Sequence, residues 1–378
     1  MSDVIVIGGG LAGCATAFYL AADGVAVTLL ERSDLNTFAS GSNAGSLHAQ
    51  IPHDPFVTKG EAWARVFSPT IGLLSRSIAM WRELPAVLGT DLEIGLKGGL
   101  LVAPDERQMR DIERKVVFER AEGLNVELLD RPALRRLAPY LADHIVGGAF
   151  CPDEGKANPF LIAPAFAAAA RRLGVEIRRH TDVRGIERER GGFAVTTDKG
   201  VFRAGRVVNA AGAEAGRIAS MLGIDLADVQ GFPIQASATE QVGPLVPHLL
   251  YYTGEKLTLK QNGVGTLLIG GGWPARPGRH GVPIADPVSL ARNLAVAVSV
   301  VPALAGVRVV RTWAAIVNGT DDWKPILGEM PGAPGFFVNF FPWMGFTAGP
   351  IAARIVASMV QGRTPPVDVD LTPFLPGH

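Results

Sequence analysis

The chain has 378 residues, enough for a large core and two domains. Lysine plus arginine equals aspartate plus glutamate, 36 each, and 48% of residues are hydrophobic. That balance excludes the one-signed field of a nucleic-acid binder and predicts an ordinary soluble globular protein. Two cysteines, Cys14 and Cys151, cannot build an iron–sulfur or structural zinc site alone, nor a disulfide framework, so no metal site is predicted and the expected compartment is the reducing cytoplasm.

Residues 3–32 read as a βαβ unit. Val4 to Ile7 is a continuous apolar run, as in a strand buried on both faces. Gly8, Gly10 and Gly13 then spell G-x-G-x-x-G where the chain turns into a helix, which runs to about Ala22 and stops at Asp23-Gly24. A second apolar run, Val25 to Leu30, ends in Glu31 and Arg32. Gly8 permits the tight turn, Gly10 lets a pyrophosphate approach the backbone, and Gly13 lets helix and strand lie close. The free N–H groups of the first helical turn, with Leu11 and Ala12, face the phosphates. The Glu31 carboxylate suits the two hydroxyls of an adenosine ribose. The apolar run has no basic stretch before it, glycines interrupt it, and no later segment reaches about 18 unbroken apolar residues, so neither a signal peptide nor a membrane span is predicted.

The segment from Phe38 to His48 is small, polar and glycine-rich, too irregular for a helix or strand. Ser40, Gly41, Ser42, Asn43, Ala44, Gly45, Ser46 and Leu47 can wrap a ligand with backbone N–H groups and hydroxyls. His48 then falls near the redox end of a bound dinucleotide, where it could polarise the cofactor, touch substrate or bond to the cofactor; a structural hydrogen-bonding histidine is the plainer alternative. Glu61 to Leu88 has the apolar spacing of one or two helices, and Asp91 to Ala103 suggests strands. A charged helix from about Glu106 to Glu122 reads as a solvated face. Leu134 to Leu141 is a short helical piece.

Asn158 and Pro159 predict a helix start, with the helix running to Leu173 and stopping at Gly174. A strand at Val175–Arg179 follows, then Asp182 to Ile186, then a hairpin of Phe193–Thr197 with Gly200–Phe202. Val207 to Gly212 ends a strand in a small-residue turn, Asn209, Ala210, Ala211 and Gly212, open to the ADP part of a dinucleotide. Gly231 to Gly271 is β-rich, with a hairpin signal at Gln261-Asn262-Gly263. It would roof the cofactor, with Tyr251, Tyr252, Lys256, Lys260 and Trp273 as pocket candidates, each of which could equally be sheet packing or surface. A strand at Phe336–Phe340 leads into a helix, Ala348 to Val360, so Gly345, Phe346 and Thr347 sit at a second electropositive helix N-terminus.

This ordered set resembles the FAD-dependent oxidoreductases of the D-amino-acid oxidase and sarcosine oxidase type. The matching stretches are Val4 to Gly13, Glu31-Arg32, Ser40 to Gly45, Val207 to Gly212, Trp313, Pro325 to Gly328 and Met344 to Pro350. The resemblance implies an α/β fold: a discontinuous FAD-binding Rossmann-like domain (1–88, 147–225 and 311–378) and a second, β-rich substrate domain (89–146 and 226–310). It adds Val183 and Trp313 to the cofactor contacts, and it sets Gly345, Phe346 and Thr347 beside the flavin, where the helix terminus can stabilise reduced-flavin charge.

Gly41 to His48 and Trp313 to Gly319 look most like the β subunits of heteromeric opine oxidases, proline and hydroxyproline dehydrogenases and sarcosine oxidase. That likeness implies oxidation of a C–N bond in a secondary amine or amino acid to an imine. It also implies partner subunits that can carry iron–sulfur centres, and an FMN that can lie between subunits. His48, Lys256 and Trp343 are the expected substrate contacts. The chain departs from single-chain glycine oxidases at Val317, where they carry a carboxylate-gripping arginine. It departs from monomeric sarcosine oxidases in having no cysteine after Cys151, which excludes their cysteinyl flavin link. Non-covalent FAD is the expectation, with a histidyl bond through His48 as the alternative. Two competing readings are a non-catalytic flavin-binding subunit and a nicotinamide-dependent dehydrogenase. The return helix and the discontinuous domain count against the second.

Overall fold

The structure is a computed structural model and describes residues 2–226 and 228–377. Its first sheet runs in the order Ile326–Glu329, Phe336–Phe340, Gly200–Asn209, Ser2–Ile7, Val27–Leu30, Glu176–Arg178. A hairpin partner, Gly192–Thr197 with Val183–Glu189, hangs on the long strand Gly200–Asn209. The central strands are parallel: Ile7 lies opposite Leu30 on one side and Asn209 on the other. Val4 and Val6 enter one core, while Ile5 and Ile7 enter a second core on the opposite face. Burial on both faces is the reason that strand reads as an unbroken apolar run.

The helix Leu11–Ala22 lies against Ile162–Arg172 and the C-terminal helix Gly345–Val360. A Cβ at Gly349 would come within 2.5 Å of the Leu11 side chain, so the two helices cross at close range near their N-termini.

The second sheet runs Val309–Gly319, Gln230–Gln241, Thr266–Pro274, Thr258–Gln261, Leu249–Tyr252, Gly99–Ala103, Gly147–Cys151, Glu127–Asp130. Its outer face packs Leu100, Leu250, Leu259 and Ile269 beneath the helix Pro287–Val300, for which the sequence reading has no counterpart. Gly147–Cys151 and Val309–Gly319, at the expected segment limits, both bond within this sheet. Among the described residues no helix is long and apolar enough to cross a membrane.

Several local expectations shift. The helix expected from Asn158 begins at Ile162, because the Asn158 side chain caps a turn instead, accepting the Phe160 N–H at 2.9 Å. The segment after Phe38 is not wholly irregular: it holds a helical turn, Ala39–Ser42, and a short strand, Ser46–Leu47, paired with Gly155–Lys156. Of the strands expected over 91–103 only Gly99–Ala103 forms, and the helical piece expected at 134–141 lies at Arg131–Leu137, capped by Asp130. The hairpin at Asn262 closes through Gly265, which takes the left-handed conformation.

The largest correction concerns the charged helix, Glu106–Ala121. Lys115 and Glu119 on it are fully buried rather than solvated. The helix lies on the chain after His48, where Glu119 accepts the Ile51 N–H at 2.7 Å and pairs with Lys115. Burial is tolerable because the charges are paired and hydrogen-bonded. Lys115→Met should lower stability by about 3–5 kcal/mol in urea denaturation, since it strands a buried carboxylate. Adding Glu119→Gln should recover most of that loss.

Candidate active site

The nucleotide end is built from small residues. Gly8 has a φ of 113° and lies against the Ala210 carbonyl, with no room for a side chain; Gly13 is equally tight against the Gly8 carbonyl. Gly10 is the extended N-cap, and the first helical bond is Cys14 N–H to Gly10 carbonyl at 2.9 Å. The N–H groups before it, Ala12 among them, therefore point out of the helix end. Leu11 donates its N–H to Ser40 Oγ at 2.9 Å, which ties the 38–47 segment to this terminus.

Glu31 accepts the Gly9 N–H at 2.6 Å and the Ser33 N–H at 2.7 Å. It braces the glycine turn, and each oxygen keeps a lone pair for a ribose hydroxyl. The Arg32 guanidinium covers the Phe38 ring and reaches Glu214 at 3.4 Å. Asn209 donates to the Ala215 carbonyl at 2.8 Å and accepts the Ala211 N–H at 3.2 Å, fixing the turn of Ala210, Ala211 and Gly212. The Val183 carbonyl accepts from Arg217 at 3.1 Å.

The middle of the groove is held from both sides. Asn43 binds the carbonyls of Ala39 and Ser40 and accepts the Gly45 N–H at 2.7 Å. Gly41 and Gly45 are packed against the backbone carbonyls of Asn36 and Ala157, Leu47 is buried, and Ala44 is half-buried. Trp313, from the second sheet, donates its indole N–H to the Ser42 carbonyl at 2.7 Å.

At the far end Gly345 and Phe346 open the C-terminal helix, with no side chain capping it. Thr347 Oγ1 accepts the His48 N–H and donates to the Ser46 carbonyl, both at 3.1 Å. Its carbonyl accepts from Ser77 and Trp81, and the Phe346 ring packs on Trp81 at 5.0 Å. The positive helix end is thus locked beside Ser46 and His48. The His48 ring stacks on Tyr251 at 6.1 Å between centroids. Lys260, on the roof strand Thr258–Gln261, donates to Ser46 Oγ.

Burial, and then the Lys260 ammonium, push the His48 pKa down to about 3, so its ring is neutral at working pH. Burial, and then Lys156, push Lys260 down to about 7. Just past His48, Glu154 accepts the N–H groups of Ala49 at 2.6 Å and Gln50 at 2.7 Å, and the Gln50 side chain at 2.9 Å. Burial raises its carboxyl to about 7 despite those bonds.

The other two expected substrate contacts have partners elsewhere. Lys256 is half-exposed and pairs with Asp54 at 3.8 Å. Trp343 is stacked between Trp323 at 5.0 Å and Phe232 at 4.6 Å, and donates to the Thr320 carbonyl at 3.3 Å. Tyr252 and Trp273 pack into the outer core of the roof. Val317 sits on the edge strand opposite Phe232. Glu154 and Gln50 were not among the sequence candidates: Glu154 follows a turn, and no spacing marks it.

These residues fit an extended dinucleotide: a glycine cradle and ribose acid at one end, and an uncapped helix terminus beneath a roof at the other. The family described as DAO, FAD dependent oxidoreductase, matches residues 3–359. The chain belongs to this family. It is a flavoenzyme, and FAD is its cofactor.

Among its relatives, the sarcosine oxidase β subunit of an Arthrobacter species is 29% identical over 340 residues, covering 87% of this chain and 79% of that one. An opine oxidase subunit of Rhizobium meliloti is 26% identical over 95% of this chain and 93% of its own. The crystal structure of glycine oxidase from Geobacillus kaustophilus superposes with a TM-score of 0.85 at 27% identity, covering 99% and 98% of the two chains.

Gly8→Ala should weaken FAD binding by about tenfold or more, because it forces a side chain into a positive-φ position with no space. The flavin absorbance retained through gel filtration measures the loss.

Proposed function

We propose that this chain is the catalytic, FAD-bearing component of a heteromeric enzyme that oxidises a secondary amino acid of the opine, proline or sarcosine kind. The observation that carries the reading is Lys260. It is a buried lysine with no acidic partner among the described residues; it donates to Ser46 Oγ, on the stretch that Thr347 and Tyr251 also hold, and its charge acts on His48. A buried cation left without an acid calls for an anion from the ligand. The substrate carboxylate supplies it, in place of the arginine that Val317 replaces.

FAD, when bound, supplies the two-electron oxidation that makes the C–N bond an imine, which water then hydrolyses. The protein's part is orientation and exclusion of water. Lys260 holds the carboxylate, neutral His48 and Tyr251 wall the amine, and the Thr347 helix end favours negative charge on the cofactor side. The absence of a cysteine after Cys151 and the stacking of His48 on Tyr251 support non-covalent FAD. Relatives named as subunits of sarcosine and opine oxidases support a heteromeric assembly. Iron–sulfur partners and an FMN at the subunit interface belong to the same reading.

Anaerobic addition of opines, sarcosine, prolines and hydroxyprolines should bleach the flavin with one of these groups. Full FAD content with no bleaching by any of them, with or without partner subunits, would favour a non-catalytic flavin-binding role. Lys260 is charged below about pH 7, so a competing carboxylate such as acetate should bind more weakly as pH rises through 7. Lys260→Met should weaken acetate by roughly 30-fold at pH 6 and abolish the pH dependence. Unchanged acetate binding with a lowered flavin potential would assign Lys260 to the cofactor instead.

A further inference from the structure

The segment Ala49 to His53 lies on a row of buried ionisable groups that the substrate chemistry described above does not use. Three consecutive amides are held by two carboxylates: Glu154 takes those of Ala49 and Gln50, and Glu119 takes that of Ile51. Adjacent residues are about 3.8 Å apart, so the carboxylates lie side by side. Both, and Lys115, are fully buried. One cation for two acids leaves a net negative charge in a low-dielectric interior, so a proton is shared there.

The row continues outward. Asp111, Lys115 and Glu119 recur every four residues and share one face of the helix Glu106–Ala121, spanning about 12 Å. At the outer end His53 Nε2 is 3.9 Å from Asp111, and their side chains are 13% and 16% exposed. At the inner end Tyr251 stacks on His48. The described residues contain eight buried side-chain polar atoms without a hydrogen-bond partner, and four of them fall on this row: Tyr251 Oη, Gln50 Oε1, Glu119 Oε2 and His53 Nε2. Such atoms are ordinarily satisfied by buried water.

We propose that this row, Tyr251–Gln50–Glu154–Glu119–Lys115–His53–Asp111, conducts protons between the flavin face of the groove and the surface. The need for it rests on the amine-oxidising reading above. An amino acid arrives with its amine protonated, and that proton must leave before the C–N bond is oxidised. The ammonium N–H bond breaks, Glu154 gains the proton through water at Tyr251, and Glu119 passes a proton on to leave at His53 and Asp111. No electrons move along the row.

Other titratable groups face it: the Cys151 thiol, kept neutral by burial, and Asp153 near Glu154, Arg120 near Glu119, Asp54 beside His53, and Arg114 at 3.5 Å from Asp111. The elevated carboxyl of Glu154, about 7, lets it take and release a proton near neutrality. Burial holds His48 down to about 3 and His53 down to about 4, so neither ring stores a proton near neutrality; His53 relays one, taking it on one ring nitrogen as the other gives one up.

The test uses the FAD-loaded protein and begins without substrate. Infrared spectra taken across neutral pH should show a protonated carboxylic acid carbonyl that titrates near 7 and is lost in Glu154→Gln. That variant keeps an oxygen for the two amides. No titrating carbonyl in the unaltered protein, or one unchanged in Glu154→Gln, would overturn the proposal.

With an amine that bleaches the flavin, Glu154→Gln and His53→Phe should each slow anaerobic reduction about tenfold, raise the solvent isotope effect, and be partly rescued by formate. His53 holds no backbone amide of the site, so a purely structural role for the row predicts no change in His53→Phe, and that result would sink the idea. If no amine bleaches the flavin, the functional reading fails, while the infrared titration still decides the row.

Discussion

The close crossing of two helices, Leu11–Ala22 and Gly345–Val360, is the constraint on which the site depends. Gly349 and Leu11 leave no room between them, so two helix N-termini from opposite ends of the chain come together. One presents its unpaired N–H groups beside Gly8 and Gly10, and the other is pinned through Thr347 to Ser46 and His48. A single elongated anion with charge at both its pyrophosphate and its redox ring answers both ends at once. The sheet order serves the same purpose: Ser2–Ile7 lies between Val27–Leu30 and Gly200–Asn209, which delivers Glu31 and Asn209 to either side of the glycine turn.

The second sheet matters through three points of contact with that floor. Trp313 reaches the Ser42 carbonyl, Lys260 reaches Ser46, and Tyr251 lies on His48. All three land on one stretch, residues 42–48, so the roof and the cofactor loop form a single unit. A lysine at the end of a roof strand can be held neutral or charged there only because burial and a neighbouring lysine bring it close to neutrality.

Much of this was legible in the sequence where physics acts locally. The βαβ unit, the turn at Asn209–Gly212 and the terminus at Gly345–Thr347 announce themselves by glycines, strand-like runs and helix ends, because phosphate binding and tight turns demand those residue types at those spacings. Side chains whose role depends on a partner far along the chain were not legible. Lys256 and Lys260 are four residues apart; burial and the bond to Ser46, across 214 residues, separate Lys260 from the half-exposed Lys256. The charged helix Glu106–Ala121 misleads for the same reason. Its charge pattern suits a solvated face, and it is the remote Ile51 amide that draws Glu119 and Lys115 inward.

That burial also bears on why the row is ionisable at all. An apolar helix face could cover this segment only by leaving the Ile51 amide without its acceptor, at about 1–3 kcal/mol. A neutral acceptor such as asparagine would satisfy an amide without the desolvation that charged groups suffer. The protein instead places two carboxylates and a lysine there, and leaves Gln50 Oε1 and Glu119 Oε2 unpaired beside them. Stability alone does not favour that choice, since buried ion pairs are commonly no better than well-packed neutral groups. The proposed passage of protons from the site to the surface is a reason to keep it.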